Sequence, residues 1–119
     1  MKLASTLGVA LFAAAAANAA DAADGSTRAE IRQHRQEAFE AAKAIEAESH
    51  QGRIQVLQEA QACIGAASTP SAYRACEQAE AAHRRAVLEK PRGERQALRA
   101  RNQEFRTQIR QRIIARRAG

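Results

Sequence analysis

The chain has 119 residues, is 45% hydrophobic and carries 19 basic against 13 acidic side chains. Alanine inflates the hydrophobic share: after residue 19 there are only three Leu (Leu57, Leu88, Leu98), two Val and two Phe, set among Ala, Glu, Gln and Arg. Those are strong helix formers, and the β-branched runs and Gly-bearing loops that a sandwich, a barrel or a doubly wound α/β enzyme needs are missing, so the composition predicts long, thin helices without a deep catalytic cleft.

The N-terminus reads Met1-Lys2, then an uncharged stretch from Leu3 to Ala17, then Ala17-Asn18-Ala19. Charged, apolar and small-residue regions in that order predict a secretory signal over residues 1–19, cut before Ala20. The uncharged stretch is short and mostly Ala, against the roughly 18 apolar residues of a spanning helix. No Cys follows the cut, which argues against a lipid-modified N-terminus, and the expected destination is periplasmic or secreted.

Beyond the signal, residues 20–26 read as a flexible segment and 27–119 as one helical domain. Thr27-Arg28-Ala29-Glu30 fits a capping box, so a first helix is expected over 28–67. Its apolar positions (Ile31, Ala38, Ile45, Ile54, Leu57, Ala60 or Gln61, Ile64) recur at helical spacings. Gly52 interrupts them, as a kink, a close helix crossing or a tolerated glycine. Ser68-Thr69-Pro70 is the clearest punctuation: Thr69 suits an N-cap and Pro70 the first helical position. A second helix is expected over 70–89, a break or kink at Lys90-Pro91-Arg92-Gly93, and a third run over 94–117 with the stripe Leu98, Phe105, Ile109, Ile113.

Cys63 and Cys76 stand nearly symmetrically about the turn. In an exported chain this predicts one intramolecular disulfide stapling an antiparallel hairpin. Facing positions should then sum to about 139, setting Cys63 against Cys76, Ala60 against Ala79, Val56 against His83 and Gly52 against Val87. The spacing is not the Cys-x-x-Cys arrangement that tunes thiol chemistry. The predicted fold is all-α: an extended antiparallel hairpin with a kinked or third helix, one disulfide and coiled-coil-like stripes. A compact three-helix arrangement or a homodimer burying both stripes fits the same pattern.

Charge is polarised. Residues 20–83 hold 6 basic and 10 acidic side chains, whereas 84–119 hold 12 and 3. Arg95, Arg99, Arg101, Arg106, Arg110, Arg112, Arg116 and Arg117 form the candidate anion- or partner-binding surface, because the guanidinium fork matches phosphate and carboxylate. Export and the near absence of stacking aromatics argue against nucleic acid. Glu80-Ala81-Ala82-His83 has the Glu-x-x-His spacing of carboxylate-bridged metal bundles, but one copy is a weak candidate, and no metal or other cofactor is assigned. No Ser-His-Asp set, phosphate loop or catalytic carboxylate pair stands out, so no enzyme activity is expected.

Small exported helical hairpins with basic surfaces resemble the periplasmic stress chaperones that cradle unfolded envelope proteins. The resemblance is architectural: the Leu-Thr-x-x-Gln motif of that family has no match here, and no functional residue carries over. It implies a non-catalytic interaction or chaperone-like module acting on envelope proteins. Two other readings stand beside it. One is a binder of anionic membrane surface or polyanion, with Leu98, Phe105, Ile109 and Ile113 entering the interface. The other is an envelope metal-binding protein.

Overall fold

The computed structural model describes the backbone of residues 10–119 and the side chains from residue 19. Two helices account for nearly all of it: α1, Ala10–Ala66, and α2, Pro70–Ala118. The chain divides into two compact units, Met1–Gln36 and Glu37–Gly119. No helix among the described residues is long and apolar enough to cross a membrane.

In the first unit, α1 runs through the segment expected to be flexible and through Thr27, which was expected to cap it. Ala-rich sequence keeps helix formation favourable across Asp21, Asp24 and Gly25. Thr27 is accordingly an interior residue, 7% exposed, whose hydroxyl donates to the Ala23 carbonyl at 3.1 Å. The signal expected over residues 1–19 lies outside the described residues up to residue 9, and its remainder, 10–19, falls within or at the start of α1.

The second unit is an antiparallel hairpin. Its α1 limb ends at Ala66, where the Ala67 amide donates to the Ile64 carbonyl at 3.1 Å. Thr69 then caps α2 as expected: its extended backbone (φ −135°, ψ 153°) lets Oγ1 accept from the Ala72 amide at 3.1 Å, with Pro70 in the first turn. Cys63 and Cys76 form the disulfide, with Cα atoms 5.7 Å apart. Of the expected facing pairs, Cys63–Cys76 and Gly52–Val87 are met, whereas His83 and Ala79 are exposed and lie outside the seam that holds Val56 and Ala60. Val87 lies against Gly52, His83 Nδ1 is 3.5 Å from Glu59 Oε2, and Lys90 pairs with Glu48.

Of the break or kink expected at residues 90–93, a break does not occur. Pro91 sits inside an unbroken α2 and is itself buried, and the Arg95–Glu46 ion pair carries the antiparallel pairing beyond it. Proline removes one backbone hydrogen bond, and helix on both sides with a packed ring keeps the segment helical through that loss. The third helix of the sequence reading is therefore the C-terminal half of α2.

The seam of the hairpin also differs from the stripe expected on α1. Ile45, Ser49 and Val56 are buried and Gly52 and Ala60 half-buried, at steps of three and four, whereas Ile54, Leu57 and Ile64 are 48%, 58% and 38% exposed. The sequence pattern merged two rows on different faces: the smaller residues pack between helices, and the larger ones look outward. On α2 the expected stripe is real. Ile109 is buried, and Leu98, Phe105 and Ile113 are half-buried along with Asn102. Tyr73, beside the turn, remains 48% exposed.

Candidate functional site

Helical geometry places the outward residues of the hairpin. Phe39 and Leu57 are 18 residues apart, five turns, and so share one line along α1; Glu46 and Ile64 fall on the same row. On α2, Glu77, Arg84, Arg95, Arg106 and Arg117 follow at steps of seven, then eleven, close to whole numbers of turns.

The two rows meet on one face. Near the turn, Leu57, Ala60, Gln61 and Ile64 of α1 and Glu77, Glu80 and Arg84 of α2 line an open groove, with Glu80 and Arg84 paired to each other. Farther along, Arg95 bridges to Glu46 through two bonds, Nε to Oε1 at 2.6 Å and NH2 to Oε2 at 3.0 Å. Beyond it the α2 row is basic. The face therefore has a groove with exposed apolar side chains at the turn end and an arginine row toward residue 117.

The expected arginine surface is divided by the fold. Arg95, Arg106 and Arg117 form the row just described, and Arg99 and Arg110, themselves eleven apart, lie beside it on the same side. Arg101 and Arg112 fall on the other side of the Leu98–Ile109 seam, and Arg116 lies over the end of that seam. Apart from Arg95, which is half-buried against Glu46, all are exposed.

Ion pairing also distinguishes the faces. The Glu46 carboxylate is held below its ordinary range chiefly by the hydrogen bonds from Arg95, whose own guanidinium is raised in turn. On the opposite face, Lys90 is raised by its hydrogen bond to Glu48 and by that residue's charge, with a smaller contribution from Glu94. Both pairs are solvent-accessible, so they fix register more than they add stability.

The weak metal candidates are engaged elsewhere. Glu80 accepts from Arg84 NH1 through both carboxylate oxygens, at 3.0 and 3.1 Å, and His83 faces Glu59 across the hairpin. Among the described residues no group of three His, Cys, Asp or Glu side chains is placed to hold a metal ion, and both cysteine sulfurs are taken by the disulfide.

The apolar half of the expected membrane face is partly covered. Ile109 is buried and Leu98, Phe105 and Ile113 are half-buried, so they belong to the packing of α2 and do not form an open apolar edge. Ile114, 59% exposed, is the one large apolar side chain open near that end among the described residues. Sequence reasoning missed Phe39, Leu57, Ile64 and Glu77 as a set. The signal that would have found them is the 18-residue spacing on α1 and the seven- and eleven-residue spacing on α2.

No protein-family model, curated protein or solved structure matches this chain in comparisons with known proteins.

Proposed function

We propose that this is a small exported, non-catalytic helical protein of the cell envelope, acting as an interaction or chaperone-like module for other envelope proteins. The observation that carries the reading is the mixed face: a groove lined by the exposed Leu57 and Ile64, followed along α2 by the arginines at 95, 99, 106 and 110. Unfolded chains expose apolar side chains together with carboxylates, and such a face offers contacts to both. Export rests on the charged, apolar and small-residue order at the N-terminus, with delivery to the periplasm or release beyond it. The disulfide supports that reading, because such bonds persist in oxidising compartments.

The test is suppression of aggregation of a reduced, unfolding client by the purified oxidised protein. Suppression that weakens on Leu57→Asp or Ile64→Asp, with helicity retained, is the expected result. No suppression at any ratio to client would contradict the reading.

A second reading, binding of an anionic surface or polyanion, keeps one specific observation in its favour: Arg99, Arg106, Arg110 and Arg117 are exposed on one side of α2. With the Leu98–Ile113 stripe withdrawn into packing, this binding would be electrostatic and would fall steeply with salt. Co-sedimentation with anionic vesicles at low and high salt checks it.

A further inference from the structure

The arginines on one side of α2 keep a fixed angle to its packed seam. Val87, Leu98 and Ile109 step by eleven residues along that seam, and Arg84, Arg95 and Arg106 each precede one of them by three, with Arg117 a further eleven on. Arg99 and Arg110 directly follow Leu98 and Ile109, on the same side. Row and seam share one period, so the row stays beside the seam and does not wind around the helix. From Arg99 to Arg117 it extends about 27 Å.

Charge changes partway along this row. At the turn end, Glu80 holds Arg84 through both carboxylate oxygens, and Glu46 holds Arg95 through two bonds. Beyond them, Arg99, Arg106, Arg110 and Arg117 are exposed and make no ion pair with a described residue. Glu104 is the only acid in residues 95–119, and at about 100° per residue it lies about 120° or more around the helix from all four arginines. Its carboxylate accepts from Gln108 at 3.2 Å. The far end of the row is therefore a strip of uncompensated positive charge.

Ile114 selects the kind of anion that fits. It is 59% exposed, four residues after Arg110 and three before Arg117, and so stands between them at the edge of the strip. An apolar side chain in that place gains nothing from a free polyanion in water. At a lipid headgroup layer it enters the acyl boundary while the neighbouring guanidinium groups take phosphate. Nucleic acid is disfavoured further, because Phe105, the only aromatic in residues 95–119, is half-buried and leaves no platform for stacking bases. We infer that the C-terminal part of α2 docks lengthwise on an anionic lipid surface, with Arg99, Arg106, Arg110 and Arg117 on the headgroups and Ile114 entering between them. A row that does not wind meets a planar surface along its whole length. The inference deepens the anionic-surface reading above and rests on it, adding the partner, the side that faces it and one apolar contact.

The experiment is co-sedimentation of the oxidised chain with vesicles of phosphatidylcholine, alone or mixed with phosphatidylglycerol, beside binding to soluble inorganic polyphosphate. The wild type should bind the mixed vesicles and not phosphatidylcholine alone. Arg106→Gln with Arg110→Gln should weaken vesicle binding about tenfold or more. Arg101→Gln with Arg112→Gln removes the same charge from the other side of the seam and should weaken it about threefold or less. Ile114→Ser should weaken binding to vesicles and leave binding to polyphosphate unchanged. The chain has no tryptophan, so Ile114→Trp gives a single reporter, whose emission should shift to the blue on mixed vesicles and stay unchanged with polyphosphate. Circular dichroism and the absence of alkylatable thiols confirm that each variant is folded.

Equal losses from the two double variants, an Ile114→Trp emission that vesicles leave unchanged, or binding to polyphosphate but not to vesicles would each overturn the inference while leaving the broader anionic reading in place. Binding to neither probe would remove both. Suppression of client aggregation through Leu57 and Ile64 depends on none of these results.

Discussion

Gly52 faces Val87 so closely that a Cβ built on the glycine would lie 2.6 Å from Val87 Cγ1. Alanine is the better helix former by about 1 kcal/mol, yet the β-branched Val87 is stiff at χ1, and overpacking of this kind costs about 1–3 kcal/mol. Gly52→Ala should therefore destabilise the protein by roughly 1 kcal/mol in urea unfolding. In a Val87→Ala background the clash is gone and only the propensity gain remains, so the same change should stabilise. A Gly52→Ala effect of the same sign in both backgrounds would show that the helices do not approach there.

The Cys63–Cys76 bond closes a short loop at the turn, with a sequence separation of 13. For a loop near this size the chain-entropy estimate is about 3 kcal/mol, a large share of the stability of so small a protein. Replacing both cysteines with serine should lower unfolding free energy by about that amount while leaving α2 capped by Thr69. Unfolding curves of the double variant and of the reduced wild type should coincide.

Pro91 leaves the Val87 carbonyl without its ordinary backbone donor in the middle of α2. Pro91→Ala restores that bond and gives up some buried ring surface. The expected balance is a gain of roughly 1 kcal/mol in thermal or urea unfolding, with unchanged helical content.

The ion pairs give stability a defined pH dependence. Glu46 is lowered from 4.5 chiefly by hydrogen bonding from Arg95, so its contribution is present above the unfolded value and is lost as pH falls through the lower, folded one. Lys90 is raised from 10.5 by Glu48, so its contribution is present below that value and is lost as pH rises through the higher, folded one. Stability should decline at both extremes, weakly because the groups are exposed, and less in high salt. Urea midpoints measured from neutral to acid pH should show a shallower acid decline in Arg95→Gln than in the wild type.

Much of this architecture is legible in the residues alone. Thr69-Pro70 marks the turn because capping is local chemistry, and the cysteines give the register because a disulfide permits only one alignment of antiparallel helices. From that register the Gly52–Val87 contact follows. What the residues did not disclose arose where tertiary context outweighs local signals. Lys90-Pro91-Arg92-Gly93 has the composition of a break, but pairing of Lys90 and Arg95 to α1 on either side of the proline holds one helix through it. Thr27 has the pattern of a cap and serves as an interior residue bonded to Ala23. On α1, size misled: Ile54, Leu57 and Ile64 suggested a core row, whereas close packing at Gly52 places the smaller row of Ser49, Gly52 and Ala60 in the seam. The arginine surface was visible as composition, but its division into two faces depends on where the Leu98–Ile109 seam points.

The central claim is an exported hairpin held by one internal disulfide. Intact mass and peptide mapping of the protein recovered from its own cells, alkylated with and without reductant, test it most directly. The account expects a chain starting at Ala20, no alkylation before reduction and a Cys63–Cys76 cross-linked peptide. A chain still beginning at Met1, with both thiols open to alkylation, would contradict it.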